Sequence, residues 1–199
     1  MIETLKMAIS KIDEKKYSIT NPANYSQSKV EPEHNFVSEL YHQLRMIIPN
    51  TKGLELATDL YKIINESKNV SMRYQESMRK IIGRGNGIKP DLVYHYSQED
   101  RDPSNQILAL ECKIDSQLSQ ERFNYDLFKL MVYKHQFNFQ IVTFLIVNNP
   151  ISKIAKFLRN YESEYYINKE SLSLLVIERY GSSPRCLIEN PESIGDLGK

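Results

Sequence analysis

The stretch Leu108-Ala109-Leu110-Glu111-Cys112-Lys113-Ile114-Asp115 alternates with a period of two. That is the spacing at which successive side chains of a β-strand point to opposite faces. Leu108, Leu110, Cys112 and Ile114 then share a core face, while Ala109, Glu111, Lys113 and Asp115 share the other. A carboxylate and an ammonium at the end of an otherwise apolar strand call for a partner or a chemical role, because unpaired charge is costly to bury. An exposed cross-strand pair on a solvated sheet face is the plainer reading of the same two residues.

Working outward, Leu92-Val93-Tyr94-His95-Tyr96 reads as the preceding strand, with Pro90-Asp91 at its head and a polar loop, Ser97 to Asn105, after it. Nineteen residues separate Asp91 from Glu111, enough for a strand, a loop and a return strand alongside. Downstream, the pattern predicts a helix from about Ser119 to Lys134, a buried strand from Phe139 to Val147, a helix from Pro150 to Tyr161 and a strand from Leu172 to Tyr180. Upstream, residues 1–30 read as a polar arm, and a helix starts near Pro32 and Glu33. Its apolar residues Phe36, Val37, Leu40, Leu44, Ile47 and Ile48 recur at helical spacing until Pro49-Asn50 ends the run. A second helical pattern covers Leu54 to Ile64, and Val70 to Ile82 is ambiguous between helix and strand. Gly83-Arg84-Gly85-Asn86-Gly87 reads as a hairpin connection, because no Lys-Ser or Lys-Thr follows to make it a phosphate-cradling loop. The expected fold class is α/β, a central mixed sheet flanked by helices, in a single domain over residues 31–199.

Composition sets the outer limits. The chain has 199 residues, 41% hydrophobic and 26% charged, within the range of one globular domain. Two cysteines, Cys112 and Cys186, can build neither a disulfide scaffold nor a four-cysteine zinc site, so a cytoplasmic home is expected. No apolar run approaches the roughly 20 residues of a membrane span, and the charged stretch Met1 to Lys16 does not read as a secretory signal. The net charge of +1 excludes a whole-molecule positive field. Charge is nevertheless uneven: residues 91–126 hold eight Asp or Glu against Arg101, Lys113 and Arg122. Lys62 to Lys89 carries seven basic residues against Glu66 and Glu76, and Leu127 to Arg159 carries five with no acid. Each run can be a solvated face, yet an acidic centre between basic segments also suits a metal site acting on a phosphate backbone.

Pro90-Asp91 followed by Glu111-Cys112-Lys113 resembles the motif of the PD-(D/E)xK nuclease superfamily, the restriction-endonuclease-like fold, over roughly residues 33–148. The resemblance implies a Mg2+-dependent nuclease acting on DNA, with Mn2+ able to substitute and a homodimer where both strands of a duplex are cut. It implies Asp91, Glu111 and Lys113 as catalytic residues. The metal would be held by Asp91, Glu111 and the backbone carbonyl of Cys112, with a further Glu on the preceding helix. On a helical wheel with Phe36 at zero, the apolar face centres near about 70°, Glu33 near about 60° and Glu39 near about 300°, so Glu33 is the inward candidate. It also suits a dipole partner at the helix N-terminus.

On the helix after the motif, Tyr125, Asp126, Lys129, Tyr133 and Lys134 are candidates to surround the site, and Lys129 and Lys134 are candidate phosphate contacts. Neither Gln117 nor Gln120 has a Tyr four positions later, a departure from the RecB-type subgroup. His34, His42, His95 and His135 form no recognisable catalytic spacing, although His95 shares the strand face of Asp91. The alternative of another class is a non-catalytic nucleic-acid-binding or interaction module that keeps the fold.

Overall fold

In the computed structural model the residues described are 1–13, 15, 19–20, 29–30, 33–49, 53–58, 62–63, 76, 87–96, 103–114, 117–161, 173–178 and 185–186. The alternating stretch forms an eight-residue strand, β7 (Gln106–Lys113), inside a six-stranded mixed sheet. In chain order the other strands of that sheet are β3 (Glu55–Thr58), β6 (Leu92–His95), β8 (Ile141–Val147), β9 (Ser173–Glu178) and β10 (Arg185–Cys186). They lie in the spatial order β10-β9-β8-β7-β6-β3. β7, β8 and β9 run parallel, while β3, β6 and β10 pair antiparallel with their neighbours. Two small pairs, β1 (Ile19–Thr20) with β2 (Lys29–Val30) and β4 (Lys62–Ile63) with β5 (Gly87–Ile88), stand apart from it.

Helices cover both faces, which is why the long central strands are apolar on both sides. On one face α1 (Ile2–Ser10) and α2 (Glu33–Ile47) bury Leu5, Ala8, Ile9, Phe36, Val37, Leu40 and Leu44 against Leu108, Leu110, Cys112 and Ile114. On the other, α3 (Gln120–Phe137) and α4 (Ile151–Arg159) bury Phe123, Phe128, Ile154 and Leu158 against Ala109, Val142, Phe144 and Ile146. Each of these helices on the second face is the crossover between two parallel strands. Ser119 caps α3 by accepting a hydrogen bond from the Arg122 N–H, and Asn138 ends it in the left-handed region at φ 57°.

The expected order of strands and helices from β6 to β9 is present, with ends shifted by a few residues. Two expectations fail. The start of the polar arm is instead the helix α1, whose apolar residues Ile2, Leu5, Ala8 and Ile9, with Ile12 just beyond its end, lie against α2. The helical pattern over Leu54 to Ile64 is instead the strand β3, held by pairing Leu56 with Tyr94 and Thr58 with Leu92, followed by β4. Residues 70–75, 77–86 and 115 lie outside the described residues, and with them the ambiguous segment apart from Glu76, the glycine-rich turn up to Gly87, and Asp115. Among the described residues no helix is long and apolar enough to cross a membrane.

Candidate active site

Antiparallel pairing of Leu92 with Leu110 sets Asp91 opposite Glu111 at the end of the β6/β7 ladder. The Asp91 Oδ2 accepts a hydrogen bond from the Cys112 backbone N–H at 2.6 Å, which fixes that carboxylate beside the motif strand. Its Oδ1 takes no hydrogen bond among the described residues. As the alternation requires, Cys112 turns its thiol into the α1/α2 core, and burial pushes that thiol well above its ordinary pKa. The Cys112 carbonyl instead accepts from the Lys113 Nζ at 3.0 Å.

Glu111 is not an exposed partner of Lys113: it is 1% exposed and lies under α3. Lys129 donates to its Oε2 at 2.6 Å, and the Tyr133 hydroxyl donates to its Oε1 at 2.8 Å. Lys129 and Tyr133 stand one helical turn apart, so one face of α3 grips both oxygens of a single carboxylate. Burial pushes the Glu111 carboxyl up to about 8 despite the pull of Lys129. Tyr133 is driven well above its ordinary value, first by burial and then by the Glu111 charge.

Lys113 crosses to the other side of the sheet end, donating to Glu33 Oε1 of α2 at 2.8 Å. Asp126 of α3 lies 3.7 Å from Lys113 and 3.8 Å from Lys129. Burial alone would lower both ammonium pKa values, but the surrounding carboxylates outweigh it. Asp126, Glu33 and Asp91 hold Lys113 above its ordinary value, and Glu111, Asp126 and Asp91 do so for Lys129. Burial in turn raises Glu33 and Asp126 against the pull of the lysines. Four carboxylates, Glu33, Asp91, Glu111 and Asp126, thus share two ammonium groups. The surplus negative charge in a poorly solvated place favours uptake of protons or of a cation.

The sheet end and two helices therefore gather Asp91, Glu111, Lys113 and Glu33, with the Cys112 carbonyl turned inward. The inward phase of Glu33 holds, while Glu39 accepts from Gln43 on its own helix. Lys129 occupies a different position from a surface phosphate contact, since its ammonium is spent on Glu111 beneath the helix. Lys134 binds the Gln140 carbonyl at 2.7 Å, at the far end of α3. His95 is fully buried opposite Gln106, about 13 Å of strand from Asp91. The sequence names Asp126 and Tyr133 only among the candidates to surround the site, without a partner for either; the structure gives Asp126 the two lysines and Tyr133 the Glu111 carboxylate. Their signal was a polar stripe, Asp126, Lys129 and Tyr133 at i, i+3 and i+7, on a helix otherwise buried nearly all round.

Among the described residues no three His, Cys, Asp or Glu side chains form a ready metal cage. A smaller donor set suits Mg2+, which keeps several waters and is held by one or two carboxylates. Asp91 retains Oδ1, and each Glu111 oxygen keeps a second lone pair beyond its one hydrogen bond. Compared with protein-family models and with curated proteins, the chain matches none.

Proposed function

We propose that the chain is a Mg2+-dependent nuclease of restriction-endonuclease-like architecture that hydrolyses phosphodiester bonds in DNA, with Mn2+ able to substitute. The observation that carries this reading is the convergence of Asp91, Glu111 and Lys113 at one sheet end, joined from α2 by Glu33. Asp91, Glu111 and the Cys112 carbonyl would hold the ion, and Glu33 a water or second ion beside it. A divalent ion so bound lowers the pKa of its water and stabilises a leaving oxygen. In the metal-free protein Asp126, Glu33 and Asp91 outweigh burial and hold Lys113 above its ordinary pKa. As an ammonium it would serve as a hydrogen-bond donor and positive charge for the phosphorane-like transition state. Cutting both strands of a duplex would call for a homodimer.

The second reading, a nucleic-acid-binding or interaction module that keeps the fold without catalysis, draws on the engagement of both Glu111 oxygens by Lys129 and Tyr133. Supercoiled and linear DNA incubated with the chain in Mg2+, Mn2+ or EDTA separates the two. Nicking or linearisation in either metal and none in EDTA supports the nuclease, whereas binding without cleavage in all three supports the module.

A further inference from the structure

We propose that Asp126 is a positioning residue of this site, a single buried carboxylate that holds Lys113 toward the reacting phosphate and Lys129 toward Glu111. The inference rests on the nuclease reading and extends it to a residue outside the motif. Asp126 turns one oxygen to each lysine, Oδ2 to Lys113 at 3.7 Å and Oδ1 to Lys129 at 3.8 Å. Both distances lie beyond direct hydrogen bonding, so the attraction is Coulombic. The direct hydrogen bonds of the two ammonium groups go elsewhere, from Lys113 to Glu33 at 2.8 Å and to the Cys112 carbonyl at 3.0 Å, and from Lys129 to Glu111 at 2.6 Å. Asp126 is thus, among the described residues, the carboxylate that lies within 4 Å of both ammonium groups.

Helical spacing accounts for only half of this. Lys129 is three residues along the same helix, but Lys113 stands on β7, so the carboxylate ties α3 to the end of the motif strand. The Asp126 side chain is 6% exposed, and its partners among the described residues are those two lysines. At such a place a leucine would be the cheaper occupant, since burying a charge costs more than burying an alkyl group unless the charge is used. Without Asp126, Lys113 keeps its hydrogen bonds to Glu33 and to the Cys112 carbonyl, and Lys129 keeps Glu111. Both ammonium groups then lose the carboxylate that, among the described residues, lies within 4 Å of each.

The test uses the full chain with Asp126→Asn and Asp126→Glu, read by DNA cleavage in Mg2+ and by lysine ammonium 15N signals of the metal-free protein. Asp126→Asn should lower kcat about 10- to 100-fold, as loss of a supporting contact does, with KM changed by less than about twofold. Asp126→Glu, which restores the charge, should recover most of that loss. The slowly exchanging ammonium signals of Lys113 and Lys129 should broaden in Asp126→Asn and persist in Asp126→Glu. If wild type cleaves and Asp126→Asn turns over at the wild-type rate, or Asp126→Glu is as slow as Asp126→Asn, the proposal is overturned. If wild type cleaves nothing, the nuclease reading fails, and ammonium signals unchanged in Asp126→Asn then overturn the placement of Asp126 on its own account.

Discussion

Replacing Glu111 by Gln should remove a pH dependence from the stability of the metal-free protein. Burial pushes the Glu111 carboxyl from 4.5 up to about 8, against the pull of Lys129. Between those values the folded chain holds a proton that the unfolded chain has released, so stability falls as pH rises through that window. Each pH unit costs at most about 1.4 kcal/mol. For a chain of 199 residues that is roughly 3 to 5 °C in Tm. Glu33 and Asp126, also raised by burial, act with the same sign. His135, pushed down by burial and by Lys134, acts with the opposite sign. All three remain in the variant, so the difference between the two proteins isolates Glu111. Thermal melts in EDTA from pH 5 to 8 should show the Tm of Glu111→Gln minus that of wild type growing by up to about 10 °C. A difference that is constant or shrinks with pH would refute the reasoning.

Calorimetric titration with Mg2+ should show weakened binding in Asp91→Asn and Glu111→Gln and near wild-type binding in Lys113→Ala, because lysine is no ligand for a hard cation. Lys129→Ala leaves Glu111, protonated in the folded chain at neutral pH, buried with Tyr133 as its remaining partner, so urea unfolding at pH 7 should show a loss of about 1 to 3 kcal/mol for the lost hydrogen bond. It should leave the slope of log DNA affinity against log salt unchanged in an inactive Asp91→Asn background, which keeps the Lys129–Glu111 pair, whereas a phosphate contact by Lys134 would make Lys134→Ala lower it by about one. Glu33→Gln, which frees Lys113 from α2, should slow cleavage, while Glu39→Gln, whose carboxylate meets Gln43, should change it little.

Much of this site was legible because strand parity and helix phase are local properties. The period of two in Leu108 to Asp115 separates the Cys112 thiol from Glu111, and the wheel of α2 turns Glu33 inward. Pairing across the chain is not local, and there the sequence misleads. β3 is a strand because β6 offers it a ladder from Leu92 to His95, which no periodicity within Leu54 to Ile64 announces. The helix α1 had a readable signal in Ile2, Leu5, Ala8 and Ile9, hidden by the charges between them. Lys129 was legible as a cation but not as the partner of Glu111, eighteen residues away, since only the crossover packing of α3 on β7 brings them together.

Cleavage of supercoiled DNA by wild type, Asp91→Asn and Glu111→Gln, purified side by side, tests the central claim most directly. Conversion to nicked or linear DNA by wild type in Mg2+, abolished by EDTA and by either substitution in a folded variant, is the predicted result. Equal cleavage by all three proteins, or none by wild type in Mg2+ or Mn2+, would contradict it.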